Sequence, residues 1–81
     1  MRIRYTNRFL QQHRKAPQTV QRVFEKQVGF LLENLRHPSL RAKKYDDGRN
    51  LWQARVNDDW RVYFSIDGDT YTLHTIRRHP K

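Results

Sequence analysis

The chain contains no cysteine, which removes disulfides, thiolate catalysis and zinc–thiolate sites together. It has no apolar run approaching membrane-spanning length. Its opening Met1-Arg-Ile-Arg4 leads straight into polar sequence and does not resemble a signal peptide, so a cytoplasmic protein is expected. Acidic residues are scarce, 8 Asp and Glu against 17 Lys and Arg, which gives a net charge of +9 and a pI of about 10.7. No glycine-rich phosphate loop, zinc-protease motif or nucleophile–histidine–acid set is apparent. The four histidines are scattered and do not make a metal site. No metal, no cofactor and no membrane partner is therefore expected.

What remains is basic and aromatic. With 81 residues the expectation is one domain, residues 1–81, around one core. The hydrophobic fraction is only 36% and mean hydropathy is −1.08, so that core must be built from few, large side chains. Two Trp, four Tyr and four Phe supply much of it. A domain this basic is expected to seek polyanions, nucleic acid before anything else.

Hydrophobic periodicity sets the order of elements. Arg2 to Tyr5 alternates basic and apolar, a short strand with Ile3 and Tyr5 inward. Thr6 or Asn7 can cap a short helix that turns Phe9 and Leu10 inward and ends near Arg14-Lys15. Pro17 suits the first position of a second, longer helix. Its stripe is Val20, Val23, Phe24, Val28, Leu31, Leu32 and Leu35. Gly29 is a place where another element can approach closely, and His13 and His37 are expected to be surface or capping residues. After Pro38 comes an irregular basic stretch whose Arg41 to Tyr45 segment can extend toward a sheet edge, with Asp46-Asp47-Gly48 as a turn.

From Leu51 to Ile76 the period is two. Trp60, Val62, Phe64 and Ile66 point one way, and Arg61, Tyr63 and Ser65 the other. A three-residue loop at Asn57, Asp58 and Asp59 sets Ala54 against Val62, Trp52 against Phe64 and Arg55 against Arg61. A tight turn at Asp67-Gly68 would set Phe64 against Tyr71, Val62 against Leu73 and Arg61 against His74. The expected fold is α+β: an N-terminal strand, two helices on one face of a mainly antiparallel sheet, then three strands, β-α-α-β-β-β. The open face would carry Gln53, Arg55, Arg61, Tyr63 and His74.

The runs Leu51-Trp52-x-Ala54-Arg55-Val56 and Trp60-Arg61-Val62-Tyr63-Phe64, the step His37-Pro38-Ser39-Leu40 and the tail Arg77-Arg78-His79 together resemble the RelE/ParE superfamily of bacterial toxins, in its RelE/YoeB-like branch. The resemblance spans essentially the whole chain and is strongest from His37 to His79. It implies an acidic antitoxin as partner. It also implies one of two activities: ribosome-dependent mRNA endonucleases in the RelE-like and YoeB-like members, DNA gyrase poisons among the ParE-like ones.

RNA cleavage of this kind needs a proton acceptor for the 2′-hydroxyl, a cation for the charge on phosphorus and a proton donor for the 5′ oxygen. Arg61 matches the arginine that opens the family's Arg-hydrophobic-hydrophobic-aromatic strand and is implied to bind the reacting phosphate, a task suited to a guanidinium fork. His79 lies where YoeB-like members carry a histidine implied to move a proton, although strict alternation from Leu73 turns it toward the core unless the strand ends or bulges. His74 is the other candidate, favoured by sheet parity. Arg41, Lys43, Lys44, Arg55, His74, Arg77 and Arg78 are the candidates for holding RNA. The glutamate that YoeB-like enzymes place before the second strand is missing from Arg41-Ala42-Lys43-Lys44-Tyr45. Lys43 and Lys44, or Asp46 and Asp47, stand as substitutes and the base is left unassigned. The leading expectation is a toxin that cleaves mRNA on the ribosome without a metal. A ParE-like gyrase inhibitor and a basic RNA-binding domain without catalysis are the alternatives.

Overall fold

The structure, a computed structural model, describes residues 1–79. Strand β1 (Arg2–Tyr5) leads into helices α1 (Asn7–Lys15) and α2 (Gln18–Glu33). Strands β2 (Lys43–Asp46), β3 (Leu51–Arg55), β4 (Trp60–Asp67) and β5 (Thr70–Arg78) follow. Short 3₁₀ turns at Pro38–Leu40 and Asp47–Arg49 flank β2. The sheet order is β1-β5-β4-β3-β2. Only the β1–β5 pair is parallel; the other pairs run antiparallel. The expected α+β order is present, and the basic segment that was read as reaching the sheet edge supplies the edge strand β2.

The β3–β4 pairing has the register that burial requires: Trp52 opposite Phe64, Ala54 opposite Val62 and Arg55 opposite Arg61. The β4–β5 hairpin corrects the sequence reading. Its turn occupies Gly68 and Asp69, so Ile66 faces Tyr71 and Phe64 faces Leu73. Gly68 has φ of 61° while Asp69 has no positive φ. A turn that needs a positive angle only at its first central residue takes glycine there, not second.

Beyond Leu73 the pairing shifts again, because β5 carries one extra residue, His74, opposite the Tyr63–Phe64 step. Tyr63 then pairs with Thr75, Val62 with Ile76 and Arg61 with Arg77, so His74 does not stand beside Arg61. The cause lies in the spacing Leu73-x-x-Ile76. Both side chains are essentially inaccessible, at 0% and 1% exposure, and two residues three apart share one face of a strand only if a bulge intervenes. Burying an isoleucine is worth about 1.5–3 kcal/mol. The freed backbone groups find partners on α1 and its cap. Thr6 Oγ1 donates to the His74 carbonyl at 3.1 Å, and Gln12 Oε1 accepts from the Ile76 amide at 2.9 Å.

The helices cover the apolar face. Thr6 caps α1 by accepting from the Phe9 amide at 3.1 Å, and Phe9 packs on Phe24 of α2 with ring centroids 5.2 Å apart. Leu10 and Leu32, expected inward, are exposed, and Tyr5 lies at the rim, where it stacks on Phe9. Pro17 precedes α2 as its N-cap and is not its first helical residue. Gln21 Nε2 instead ties the two helices, donating to the carbonyls of His13 and Ala16, each at 3.0 Å. His13 is half-buried against Phe9 and Phe24, not a surface residue, and His37 caps the Pro38–Leu40 turn through Nδ1 while stacking on Phe30 at 3.8 Å.

Gln27 is a polar side chain on the buried stripe of α2. Its Nε2 donates to the carbonyls of Ser39 at 3.0 Å and Arg55 at 2.7 Å, joining the helix to the 3₁₀ turn and to the end of β3. Gly29 has open space where a Cβ would stand, so no element approaches there. Burial raises the hydroxyl pKa of Tyr71. For Tyr5, burial first and the Glu25 carboxylate second act in the same direction.

Two substitutions in α2 should therefore move stability in opposite directions in urea-unfolding measurements. Gln27→Ala leaves two carbonyls without their donor and should cost about 1–3 kcal/mol. Gly29→Ala should gain about 0.5–1 kcal/mol, since nothing obstructs the added methyl.

Candidate nucleic-acid interface

The open face of the sheet carries two basic depressions, the second also bordered by residues of α1. In the first, of about 240 Å³, Arg41, Lys43, Gln53, Arg55, Arg61 and His79 come together. They arrive from three strands and from segments flanking strands. Lys43 and Gln53 are cross-strand partners on β2 and β3, as Arg55 and Arg61 are on β3 and β4. Arg41 follows the Pro38–Leu40 turn in the left-handed region, φ 45° and ψ 43°, a conformation that costs a non-glycine residue about 1–2 kcal/mol. His79 lies just past β5, held by its amide to the Asp59 carbonyl at 2.6 Å. The bulge at His74 makes this possible. It reverses the alternation of the residues that follow, so that Thr75, Arg77 and His79 turn to the open face.

Arg61 already has structural contacts. Its Nη1 donates to the carbonyl oxygens of Asn57 at 2.5 Å and Trp60 at 3.0 Å, with Asp58 at 3.4 Å, and so closes the β3–β4 loop. Among the described residues Nε and Nη2 make no hydrogen bond, so part of the fork stays open to a ligand. Arg55 is ion-paired with the exposed Asp58. Among the described residues Arg41, Lys43 and Arg61 form no ion pair. The Nδ1 atom of His79 is buried without a partner among the described residues, which leaves Nε2 as the ring nitrogen the depression can present.

The second depression, about 580 Å³, is bordered by Arg8, Gln12, Tyr45, Arg49, Leu51, Tyr63, His74, Thr75 and Arg77. His74 and Arg77, both expected to hold RNA, border this depression; Arg77 is also the cross-strand partner of Arg61, whereas His74 is not beside it. His74 Nε2 lies 2.8 Å from Ser65 Oγ, which also reaches Asp67 at 3.2 Å. Arg77 sits 4.8 Å over the Tyr63 ring, and Gln53 Nε2 donates to the Tyr63 hydroxyl at 3.0 Å. Arg8 and Tyr45 were not singled out from sequence. Tyr45 falls where β2 is irregular, and Arg8 lies on a helix expected only to pack.

Lys44 and Arg78 are not part of either depression. Lys44 is opposite Trp52 and lies over its ring at 5.4 Å, and Arg78 is opposite Trp60, so strand parity assigns both to the helix-bearing side. Asp46 serves its turn, accepting from the Gly48 amide at 3.0 Å and pairing with Arg49 at 3.4 Å. Among the described residues no group of three His, Asp or Glu side chains gathers to hold a metal ion, and no helix is long and apolar enough to cross a membrane.

No family profile matches the chain, and no curated protein sequence matches it. Solved structures do. The YoeB/ParE toxin from Agrobacterium tumefaciens superposes with a TM-score of 0.82 over 99% of this chain and 100% of that one, at 9% identity. YafQ from Escherichia coli gives 0.78 over 98% and 94%, at 15% identity. A chain of the RelB–RelE antitoxin–toxin complex from Methanococcus jannaschii gives 0.77 over 93% and 88%, at 14% identity. With so little sequence in common, the likeness is one of backbone architecture, and it is nearly complete: this chain has the fold of the RelE, YoeB and YafQ toxins.

Proposed function

We propose that this chain is the toxin of a toxin–antitoxin pair and acts as a metal-independent endoribonuclease on mRNA in the ribosome. The observation that carries this reading is the first depression, where a histidine and four cations converge on the open sheet face and Arg55 is paired with Asp58 at its edge. Such a site suits in-line attack of a 2′-hydroxyl on its own phosphate. The new 2′-oxygen–phosphorus bond forms as the bond to the 5′ oxygen breaks, leaving a cyclic phosphate and a free 5′-hydroxyl. Arg61, through Nε and Nη2, balances the charge that builds on the phosphoryl oxygens. Arg41 and Arg55 hold the flanking backbone. His79, as imidazolium, gives its proton to the departing 5′ oxygen. Lys43 adds positive charge at the rim of the depression, and the 2′-hydroxyl proton passes to solvent.

A net charge of +9 also supports an acidic partner, and the M. jannaschii structure of this fold is an antitoxin–toxin complex. A disordered acidic segment would fold as it covers the basic face. Co-expression with the adjacent open reading frame should give a stable complex on purification, and separate elution of the two proteins would count against the pairing.

Purified protein added to translating ribosomes should generate new mRNA ends at the stalled codon. Arg61→Ala should slow cleavage by about 10²–10³-fold, and His79→Ala by about 10²–10⁴-fold. Arg61→Lys, which keeps the charge without the fork, separates phosphate binding from loop closure when its melting curve is compared with that of Arg61→Ala. Intact message accompanied by linearised, gyrase-trapped DNA would assign the chain to gyrase inhibition. Unchanged cleavage in both alanine variants would remove the depression from the chemistry.

A further inference from the structure

The second depression has a composition that the cleavage chemistry does not use. Tyr45 is 52% exposed, and its ring meets Tyr63 edge-on at 5.0 Å and 73°. Tyr63 is itself clamped, with Gln53 on its hydroxyl and the Arg77 guanidinium over its ring. Tyr45 is thus a large aromatic surface left open to solvent yet steadied from behind. Around it stand Arg8 from α1, Arg49 from the 3₁₀ turn and Arg77 from β5. Only Arg49 has a carboxylate partner among the described residues; Arg8 and Arg77 form no ion pair. An open ring bordered by unneutralised guanidinium groups is the arrangement that binds single-stranded nucleic acid, the ring taking a base and the cations its phosphate.

The two depressions adjoin. Tyr63 walls the second, its hydrogen-bonded partner Gln53 walls the first, and Arg61 and Tyr63 are two residues apart on one strand, about 6.6 Å along it. That step is within reach of one nucleotide. A volume of about 580 Å³ accommodates a base with its sugar.

We propose that this groove is a binding subsite for the nucleotide next to the scissile phosphate, with the base stacked on Tyr45 and its phosphate held by Arg8, Arg49 and Arg77. The inference rests on the endoribonuclease reading of the first depression and adds to it a defined contact for a flanking base. Stacking does not depend on base identity, so the subsite takes any base and favours purines for their larger area. An acidic peptide would satisfy the same arginines but has no use for the open ring, so the two ligands differ in their dependence on Tyr45.

The test is a cycle between protein and RNA, read by fluorescence anisotropy at fixed salt. The probe is a labelled tetranucleotide made uncleavable by 2′-O-methyl groups, together with a set carrying one abasic residue at each position in turn. Tyr45→Ala should weaken binding of the intact probe about tenfold, or about 1.4 kcal/mol. Tyr45→Phe should retain the affinity and Tyr45→Leu should not. One abasic probe should reproduce the tenfold loss on the unaltered protein and lose nothing more on Tyr45→Ala. Arg49→Gln should lower the salt dependence by about one phosphate contact.

Losses from Tyr45→Ala and from every abasic position that simply add, or unchanged affinity in Tyr45→Ala, would overturn the subsite. So would displacement of the probe by a polyglutamate peptide whose own binding ignores Tyr45, combined with RNA binding that also ignores it. Coupled losses in a protein that cuts no message would leave the subsite standing and remove the endoribonuclease reading. Cleavage without coupling would do the reverse.

Discussion

The single extra residue in β5 is the constraint on which this molecule depends. Leu73 and Ile76 must both reach the core, and a regular strand can bury only one of them together with its alternating neighbours. Inserting His74 between the two registers resolves the conflict, and Thr6 and Gln12 supply hydrogen bonds where the ladder is interrupted. The consequence propagates outward. Every side chain after the bulge changes face, so Arg77 and His79 join Arg61 and Tyr63 and are not buried beneath the helices. Core packing at one position thus decides the composition of a basic surface several residues away.

How much of this was legible depended on how many side chains argued for each register. The β3–β4 pairing could be read directly, because Trp52, Ala54, Val62 and Phe64 all demand one face and a slip would bury Arg61. The next hairpin rested on a single dipeptide, and Asp67-Gly68-Asp69 offers two placements that differ only in which central residue takes the positive angle. From strand alternation alone His74 belonged with Arg61 and His79 with the core, and both assignments were reversed by the bulge. The signal was present as the three-residue spacing from Leu73 to Ile76, which no unbroken strand satisfies. Gln27 was missed for a related reason. It sits on the stripe between Phe24 and Leu31, where helical spacing predicts burial, but polarity conceals the position until its two carbonyl partners are seen.

The same parity rule sorts the cations. Lys43 and Lys44 are adjacent in sequence, yet one borders the first depression while the other lies over Trp52 on the opposite side. Arg77 and Arg78 divide in the same way. A net charge of +9 therefore says little by itself about where a polyanion binds. Architecture is retained at 9–15% identity to solved toxins because it rests on a pattern of large and small apolar residues that many sequences satisfy. The groups that face solvent are under no such rule and must be judged individually.

Strand β5 is the last of the described elements in chain order, yet it lies inside the sheet, between β1 and β4. Its pairing with β1 brings Arg2 beside Thr70, across nearly the whole polypeptide. Such a long closure is entropically demanding and makes folding slow relative to proteins built on local contacts. The segment that completes the sheet also delivers His79 to the open face, so closure of the fold and placement of its histidine depend on the same strand.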